Sequence, residues 1–354
     1  MDRLADSHCL DREVFSRSGL GRSVHTILRL LSLLCLAGLL ACSSPEHAEW
    51  VRHSDWSAQT RFVEWSDVKH RGLGVGFVRP EHRNIHPYQR PSTHIFHIQE
   101  GEPFTTLLVL SVGYSEPYPV LVSVFLDYEQ VRFTLDGRQG LLHYLEIKAG
   151  VDMEIPLEVP IKRPGWHDLF VVVFRKPDYH PTDPQERLPP KLAVGGRRTV
   201  VCAKDCTVSA QTLPKALVGR GTDARNFHAY AFPLFPDDSR PPKQRLLLSA
   251  AARPEEMFAL ELWARNPSDR PKDYVVLPLL DSKQTAYAGS NVLHLRMPPG
   301  SELFIPGQIR LPDEEGVHEL QFLYIFDPYQ NLDEVTDPFV HSVMRSALVV
   351  KGDG

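Results

Sequence analysis

The sequence predicts an all-β fold built as two antiparallel sandwiches in tandem, and three observations carry that expectation. Strand-length apolar segments recur along most of the chain with turn-forming residues between them. Proline is enriched, 30 of 354 residues or about 8 per cent where ~5 is usual, and 22 glycines add further turns, leaving little room for long helices. The second half of the chain also repeats a pattern of the first.

The chain begins with residues 1–25, polar and mixed in charge and longer than an export signal's n-region needs; a start codon placed too early would account for them. Residues 27–40 form an apolar run broken only by Arg29 and Ser32. Such a run suits the h-region of a signal better than the ~20 apolar residues of a spanning helix. It ends in Leu39-Leu40-Ala41-Cys42-Ser43-Ser44, which resembles the lipobox of bacterial lipoproteins, where signal peptidase II cleaves ahead of a cysteine carrying diacylglycerol. The resemblance implies a signal peptide over 1–41, lipidation (palmitate among the acyl chains) at Cys42, and an extracytoplasmic protein tied to a membrane.

Removal of residues 1–41 takes five Arg and four Asp or Glu, leaving 34 basic against 40 acidic residues and a net charge near -6. With no basic face to offer, nucleic acid is excluded as a partner. The remaining chain is long enough for about two domains. Cys9 and Cys35 lie in the removed part and Cys42 is spent on lipid, so Cys202 and Cys206 remain. In an exported protein the three residues between them can bring their Cα atoms within ~6 Å, and a disulfide is expected, with free thiols or a metal as the alternatives. No Cys or His stands near them in sequence to complete the four ligands of structural zinc.

Residues 42–69 read as a tether followed by an aromatic lead-in, with Trp50, Trp56, Phe62 and Trp65 marking a segment that packs on a domain. Gly72, Gly74 and Gly76 precede Phe77 and Pro80 rather than opening a helix, so they read as a turn or strand edge and not a nucleotide loop. His82, His86, His94 and His97 follow, but His94 and His97 point to opposite faces of a strand, so these read as scattered surface and edge histidines. Strands are expected at 94–99, 105–112, 121–128, 131–134, 141–147, 153–159, 168–174 and 198–202, with turns such as Asp136-Gly137, Gly150 and Pro164-Gly165 between them. Polar residues 204–225 read as a linker leading into a strand-like 227–235. The second set of strands is expected at 244–249, 258–264, 273–280, 291–297, 302–309, 319–326 and 346–350. In 319–326, Leu320, Phe322, Tyr324 and Phe326 share one face while Glu319 and Gln321 share the other. The first sandwich is thus placed at 70–203 and the second at 226–354.

The repeat is specific. Val122, Leu126, Asp127 and Gln130 return as Val276, Leu280, Asp281 and Gln284 at an offset of 154. Leu142, His143, Gly165, His167, Leu169 and Pro177 return as Leu293, His294, Gly316, His318, Leu320 and Pro328 at an offset of 151. Two matched blocks with a three-residue shift between them are what a duplicated domain shows after its loops drift.

Each copy resembles an immunoglobulin-like bacterial module of the cell-adhesion-related type (CARDB). The second copy carries the resemblance in Leu260, Leu262, Ala264, Asn266-Pro267-Ser268, Asp281, Pro299-Gly300 and Gly316-Val317-His318. The first carries it in Asp127, Ala149-Gly150 and Gly165-Trp166-His167, with Gly113-Tyr114-Ser115 in place of the Asn turn. Each match covers about 80 residues. The resemblance implies immunoglobulin-like sandwiches serving as an extracytoplasmic binding or spacer module, and it supplies no catalytic residues.

No catalytic constellation emerges from the residues. His167 and His318 stand at strand starts where sandwich domains place a corner residue, and His143 and His294 precede each by 24 residues, a symmetry that argues for service to the fold. Ser66-Asp67-Val68-Lys69 matches the Ser-x-x-Lys of penicillin-recognising enzymes by chance, since no Lys-Thr-Gly follows. Gly-x-Ser-x-Gly, His-Glu-x-x-His, Walker and Cys-x-x-Cys motifs are absent from the sequence. Carboxylates gather after the Gly-x-His strand in both copies: Asp178, Asp183 and Glu186, then Asp327, Asp333, Glu334 and Asp337, without EF-hand order. These two loops differ between the copies while the core repeats, which makes them the expected partner- or cation-binding sites, the first of them replaceable without loss of folding. The expectation is a non-catalytic envelope lipoprotein that binds an envelope protein or a glycan, with no cofactor and no structural metal. An accessory subunit of an envelope enzyme or transporter complex is the alternative, a hydrolase a more distant one.

Overall fold

The computed structural model describes residues 49–64, 72–91, 94–187, 194–204, 206, 213–221, 231–236, 239–332 and 339–352. The expected export signal over 1–41, Cys42, Ser66, Lys69, Asp333, Glu334 and Asp337 lie outside them. All described residues fall in one compact unit, Ala48–Gly354. Their regular structure is β-strand with four short 3-10 turns, so the all-β expectation holds. Among the described residues no helix is long and apolar enough to cross a membrane.

Four sheets make two sandwiches. The seven-stranded sheet of the first runs Trp50–Arg52, Leu142–Ile147, Tyr118–Leu126, Gly165–Arg175, Gly195–Ala203, Ile95–Ile98, with Glu129–Val131 alongside Tyr118–Leu126. That of the second runs Leu217–Val218, Leu293–Met297, Lys272–Leu280, Gly316–Phe326, His341–Val350, Ser249–Ala252, with Lys283–Gln284 alongside Lys272–Leu280. The two correspond strand for strand, and in both the two outermost pairings are parallel while the rest are antiparallel. Behind them stand a six-stranded sheet centred on Phe104–Val112 and Asp152–Val159, and a four-stranded sheet centred on Met257–Arg265 and Ser301–Arg310. The glycine-rich segment is an edge strand, Leu73–Val78, paired with Phe104–Val112.

Three expected boundaries shift. The lead-in is part of the first sandwich: Trp50–Arg52 joins its seven-stranded sheet and Arg61–Val63 its other sheet. The expected linker likewise gives the second sandwich Leu217–Val218 and Arg220–Gly221. Each copy therefore starts with a short arm that splits between its two sheets, a feature too short and too polar to read as strand in sequence. The strand expected at 244–249 begins at Ser249, because Pro241 and Pro242 withdraw backbone donors and fix φ, and a 3-10 turn Pro242–Gln244 forms instead.

Each sandwich has its own core, one around Leu108, Val124, Phe133, Ile155 and Val171, the other around Leu262, Tyr274, Tyr287, Phe322 and Leu348. A third core lies between the sandwiches. Leu121, Phe125, Phe170, Val172 and Phe174 meet Val275, Leu277, Leu279, Leu323 and Ile325, all at most 1 per cent exposed. The two seven-stranded sheets are thus stacked face to face and buried on both sides, which explains continuous apolar runs such as Leu169 to Phe174 where a one-sided strand would alternate. Glu319 and Gln321, on the face opposite Leu320 and Phe322 as the alternation predicts, are buried in this interface at 5 and 2 per cent exposure.

Candidate functional site

The interface between the sandwiches is built by equivalent residues acting on one another. The Gln130 backbone N–H donates to Gln284 Oε1 and the Gln284 N–H donates to Gln130 Oε1, both at 2.8 Å. Gln130 Nε2 reaches the Ser282 carbonyl at 3.0 Å while Gln284 Nε2 reaches that of Tyr128 at 2.8 Å. Residues 128 and 130 are the repeat counterparts of 282 and 284, so the copies face each other across a local two-fold, as subunits do in an isologous dimer. The hairpin turns that present these glutamines, Asp127-Tyr128 and Asp281-Ser282, have positive φ at both positions, the type that matches strand twist. His167 and His318 brace those turns. Each Nδ1 sits 2.7 Å from the turn aspartate, and each Nε2 bonds a carbonyl four residues back, Arg163 or Glu314. Burial lowers both imidazole pKa values, but the bonds and charge of Asp127 and Asp281 outweigh it and leave them raised.

The second brace is an exchange of loops. Asp168 of the first copy is fully buried against Arg198, with bonds of 2.8 and 2.9 Å. The loop after Gly316–Phe326 crosses to this pair: the Tyr329 N–H donates to Asp168 at 2.7 Å, and Arg198 donates to the Phe326 carbonyl at 2.8 Å. Leu332 of the same loop buries itself with Trp166 and Val200. In return, the loop after Gly165–Arg175 crosses to the second copy. Arg187, fully buried, donates to both oxygens of Glu319 at 2.7 and 2.9 Å and to the Arg345 carbonyl at 3.1 Å. Arg345 donates back to the carbonyls of Lys176 and Tyr179. Lys176 and Asp327, one repeat apart, both take positive φ where their loops turn across. Burial raises the Glu319 carboxyl pKa, yet the bonds from His180 and Arg187 prevail and hold it below its ordinary value.

The first of the expected binding loops is therefore a clamp in its own right and is not dispensable for packing. Its carboxylates are engaged within the chain: Asp178 accepts from Tyr144 OH at 2.6 Å, Asp183 from the Gln185 N–H at 2.8 Å, and Glu186 from Tyr179 OH at 2.8 Å. Asp327 ends the strand Gly316–Phe326, and its N–H bonds the Asp273 carbonyl at 2.8 Å.

What the clamp leaves open are two clefts that share Asp178. One, about 480 Å3, lies between the 114–119 turn and the clamp loop and is lined by Tyr114, Glu116, Tyr118, Lys176, Asp178 and Tyr179. The Tyr114 and Tyr118 rings stand 4.9 Å apart and Tyr114 and Tyr179 are exposed, offering apolar ring faces beside an ammonium and two carboxylates. The other, about 380 Å3, lies at the seam between the sandwiches and gathers Asp178, His180, Asp281, Glu314, His318 and Arg345. Aromatic faces with a few fixed polar groups suit the flat faces and hydroxyls of a sugar or the rings of a proline-bearing chain. Sequence reasoning named Asp178 but missed the tyrosines, whose only signal was Tyr114 and Tyr118 flanking a proline turn where the second copy has its Asn turn. There Asn266 is buried and bonds the carbonyls of Arg270, Met297 and Pro298.

The repeat-related His143 and His294 serve the fold differently. His294 Nε2 bonds Asp273 and its Nδ1 the Pro214 carbonyl at 3.2 Å. His143 meets His53 of the lead-in at 2.8 Å, and burial first of all drives both imidazoles down, to about 3 for His143 and about 4 for His53. Cys202 and Cys206 form the expected disulfide, with Cα atoms 5.2 Å apart. His97 lies against it, its Nδ1 3.3 Å from Cys206 Sγ.

No family model and no curated protein matches the chain. Among solved structures it is similar to red sea bream transglutaminase at 9% identity, over 80% of this chain and 32% of that one, with a TM-score of 0.23. It is also similar to native Escherichia coli alpha-2-macroglobulin at 11%, over 80% and 17%, TM-score 0.26, and to the calcium binding domain CBD12 of CALX1.1 at 14%, over 69% and 88%, TM-score 0.20. The chain spans about a third of the transglutaminase and about a sixth of the macroglobulin. At such TM-scores the fold rests on the chain's own sheets.

Proposed function

We propose that this protein is a non-catalytic binding or scaffold module, held outside the cytoplasm by a lipid on Cys42, that presents the tyrosine-lined cleft to a partner in the cell envelope. The observation that carries the reading is the cleft itself: exposed Tyr114 on the 114–119 turn lines it together with exposed Tyr179 on the clamp loop, whose far end is pinned by the buried Arg187–Glu319 pair. A surface held in place from behind loses little entropy on binding. The lipobox-like run supports the anchor, and two acyl chains, at ~0.8 kcal/mol per buried CH2, give firm membrane attachment. The finer assignment of each sandwich to the cell-adhesion-related type rests on the sequence motifs quoted above.

Two experiments test the reading. Cys42→Ala should release the protein from membranes or leave it unprocessed; a mature-sized band still in the membrane fraction refutes the anchor. Crosslinking in intact cells should capture a specific glycan or envelope protein, and Tyr114→Ala with Tyr179→Ala should reduce that capture while circular dichroism stays unchanged. Capture indifferent to both tyrosines would place the binding surface elsewhere.

A further inference from the structure

The disulfide and the histidine beside it compose a second site of different chemistry. His97 and Cys202 are direct register partners on the parallel strands Ile95–Ile98 and Gly195–Ala203. The chain then turns through Lys204 in the left-handed region, and Cys206 comes back against both. Among the described residues this is the one grouping of three donors within reach of a single ion: His97 Nδ1 and both sulfurs lie within 4.8 Å of one another. Cys202 is buried at 1 per cent exposure, while His97 and Cys206 are exposed, so the site has a closed floor and an open mouth.

We propose that reduction of the Cys202–Cys206 disulfide converts this corner into a three-coordinate Cu(I) site. A dithiol supplies two electrons and two protons; the S–S bond breaks, two thiols form, and the dithiol leaves as its own disulfide. Cu(I) then displaces both thiol protons and takes the two thiolates with His97 Nδ1. Metal–thiolate bonds of ~2.3 Å in a trigonal plane set donors about 4 Å apart, a spacing this corner reaches with small side-chain movement. Two soft sulfurs and one imidazole match a soft d10 ion content with three ligands, whereas structural zinc asks for four. Because the same sulfurs cannot both bridge and ligate, oxidation to the disulfide releases the metal, so copper binding and redox state are mutually exclusive.

The test uses the purified processed lipoprotein, which lacks residues 1–41 and has Cys42 acylated, so that Cys202 and Cys206 are its two thiols on reduction. It is reduced with dithiothreitol, freed of it anaerobically, and titrated with Cu(I) buffered by bicinchoninate. One Cu(I) per reduced chain is expected, with sulfur and nitrogen neighbours in X-ray absorption, none on the disulfide form, and none on Cys206→Ser. His97→Ala, a surface change that leaves the fold intact by circular dichroism, should weaken binding at least about tenfold, since even outer-shell changes cost that much. Equal uptake by oxidised and reduced protein, unchanged affinity in His97→Ala, uptake of Zn(II) but not Cu(I), or a disulfide that yields only when the protein unfolds each overturns the proposal.

Discussion

Arg187→Met should destabilise the protein by about 3 kcal/mol, the lower end of what removing one partner of a buried ion pair costs. The guanidinium is fully buried and makes two bonds to Glu319 and two to carbonyls, one at Arg345 and one at Pro181. Its loss strands a carboxylate that is itself almost fully buried. His180 at 3.0 Å and Arg345 at 3.8 Å remain to compensate in part, which is why the lower end applies. The bond joins a loop of the first sandwich to a strand of the second, so its loss should also loosen their coupling. Urea denaturation followed by tryptophan fluorescence and circular dichroism should show a lower midpoint and probes that no longer coincide. A cycle with Glu319→Gln should give strong non-additivity, whereas Arg187→Met with Asp168→Asn, at the other clamp, should be nearly additive. A variant within about 0.5 kcal/mol of the parent, the range of ordinary surface substitutions, with one unchanged transition would refute the clamp.

Gln130→Ala and Gln284→Ala should each cost about 1–3 kcal/mol by leaving the opposite backbone donor unsatisfied, and the double variant should cost less than their sum; additive losses would break the reciprocal reading. His53 and His143 have folded pKa values far below the ordinary 6.5, so their contribution is complete above pH 6.5 and lost as pH falls towards 4 and 3. Hydrogen exchange should show Trp50–Arg52 losing protection on acidification before the central strands do, and equal protection at pH 5 and 7 would contradict it. His167 and His318 are shifted upward, so their contribution is complete below pH 6.5 and fades as pH rises through the folded value. The denaturation midpoint should fall on the alkaline side, and His167→Gln with His318→Gln should flatten that arm; an unflattened arm refutes the assignment.

The strands were legible because their signal is local: β-branched and aromatic runs bounded by Gly and Pro fix Phe104–Val112, Met257–Arg265 and Ser301–Arg310 to within a residue or two. The corner histidines were legible through the repeat, since a residue that recurs with its aspartate is serving the copy and not a unique site. What escaped was whatever depends on two distant segments meeting. His97 stands 105 residues before Cys202, and nothing in the periodicity of either strand announces the parallel pairing that joins them. The stacking of sandwiches was written in Leu169 to Phe174, but a run apolar on both faces says only that both are covered, not by what.

The two loops illustrate how a sound premise can lead the wrong way. Divergence between copies implies release from structural constraint only for a loop that faces solvent. Here each loop crosses the local two-fold and lands on the other copy, where the surfaces differ: one meets a buried Asp168 already paired with Arg198, the other a buried Glu319 that Arg345 approaches only at 3.8 Å. The first surface needs a donor without added charge, and the second loop brings the Tyr329 N–H. The second surface lacks a close cation, and the first loop brings Arg187. The loops thus differ because a duplication whose copies pack on each other is free to divide their tasks. The proposed binding face is then the outer side of the clamp, where Tyr114 and Tyr118 of the 114–119 turn and Tyr179 of the loop line one cleft.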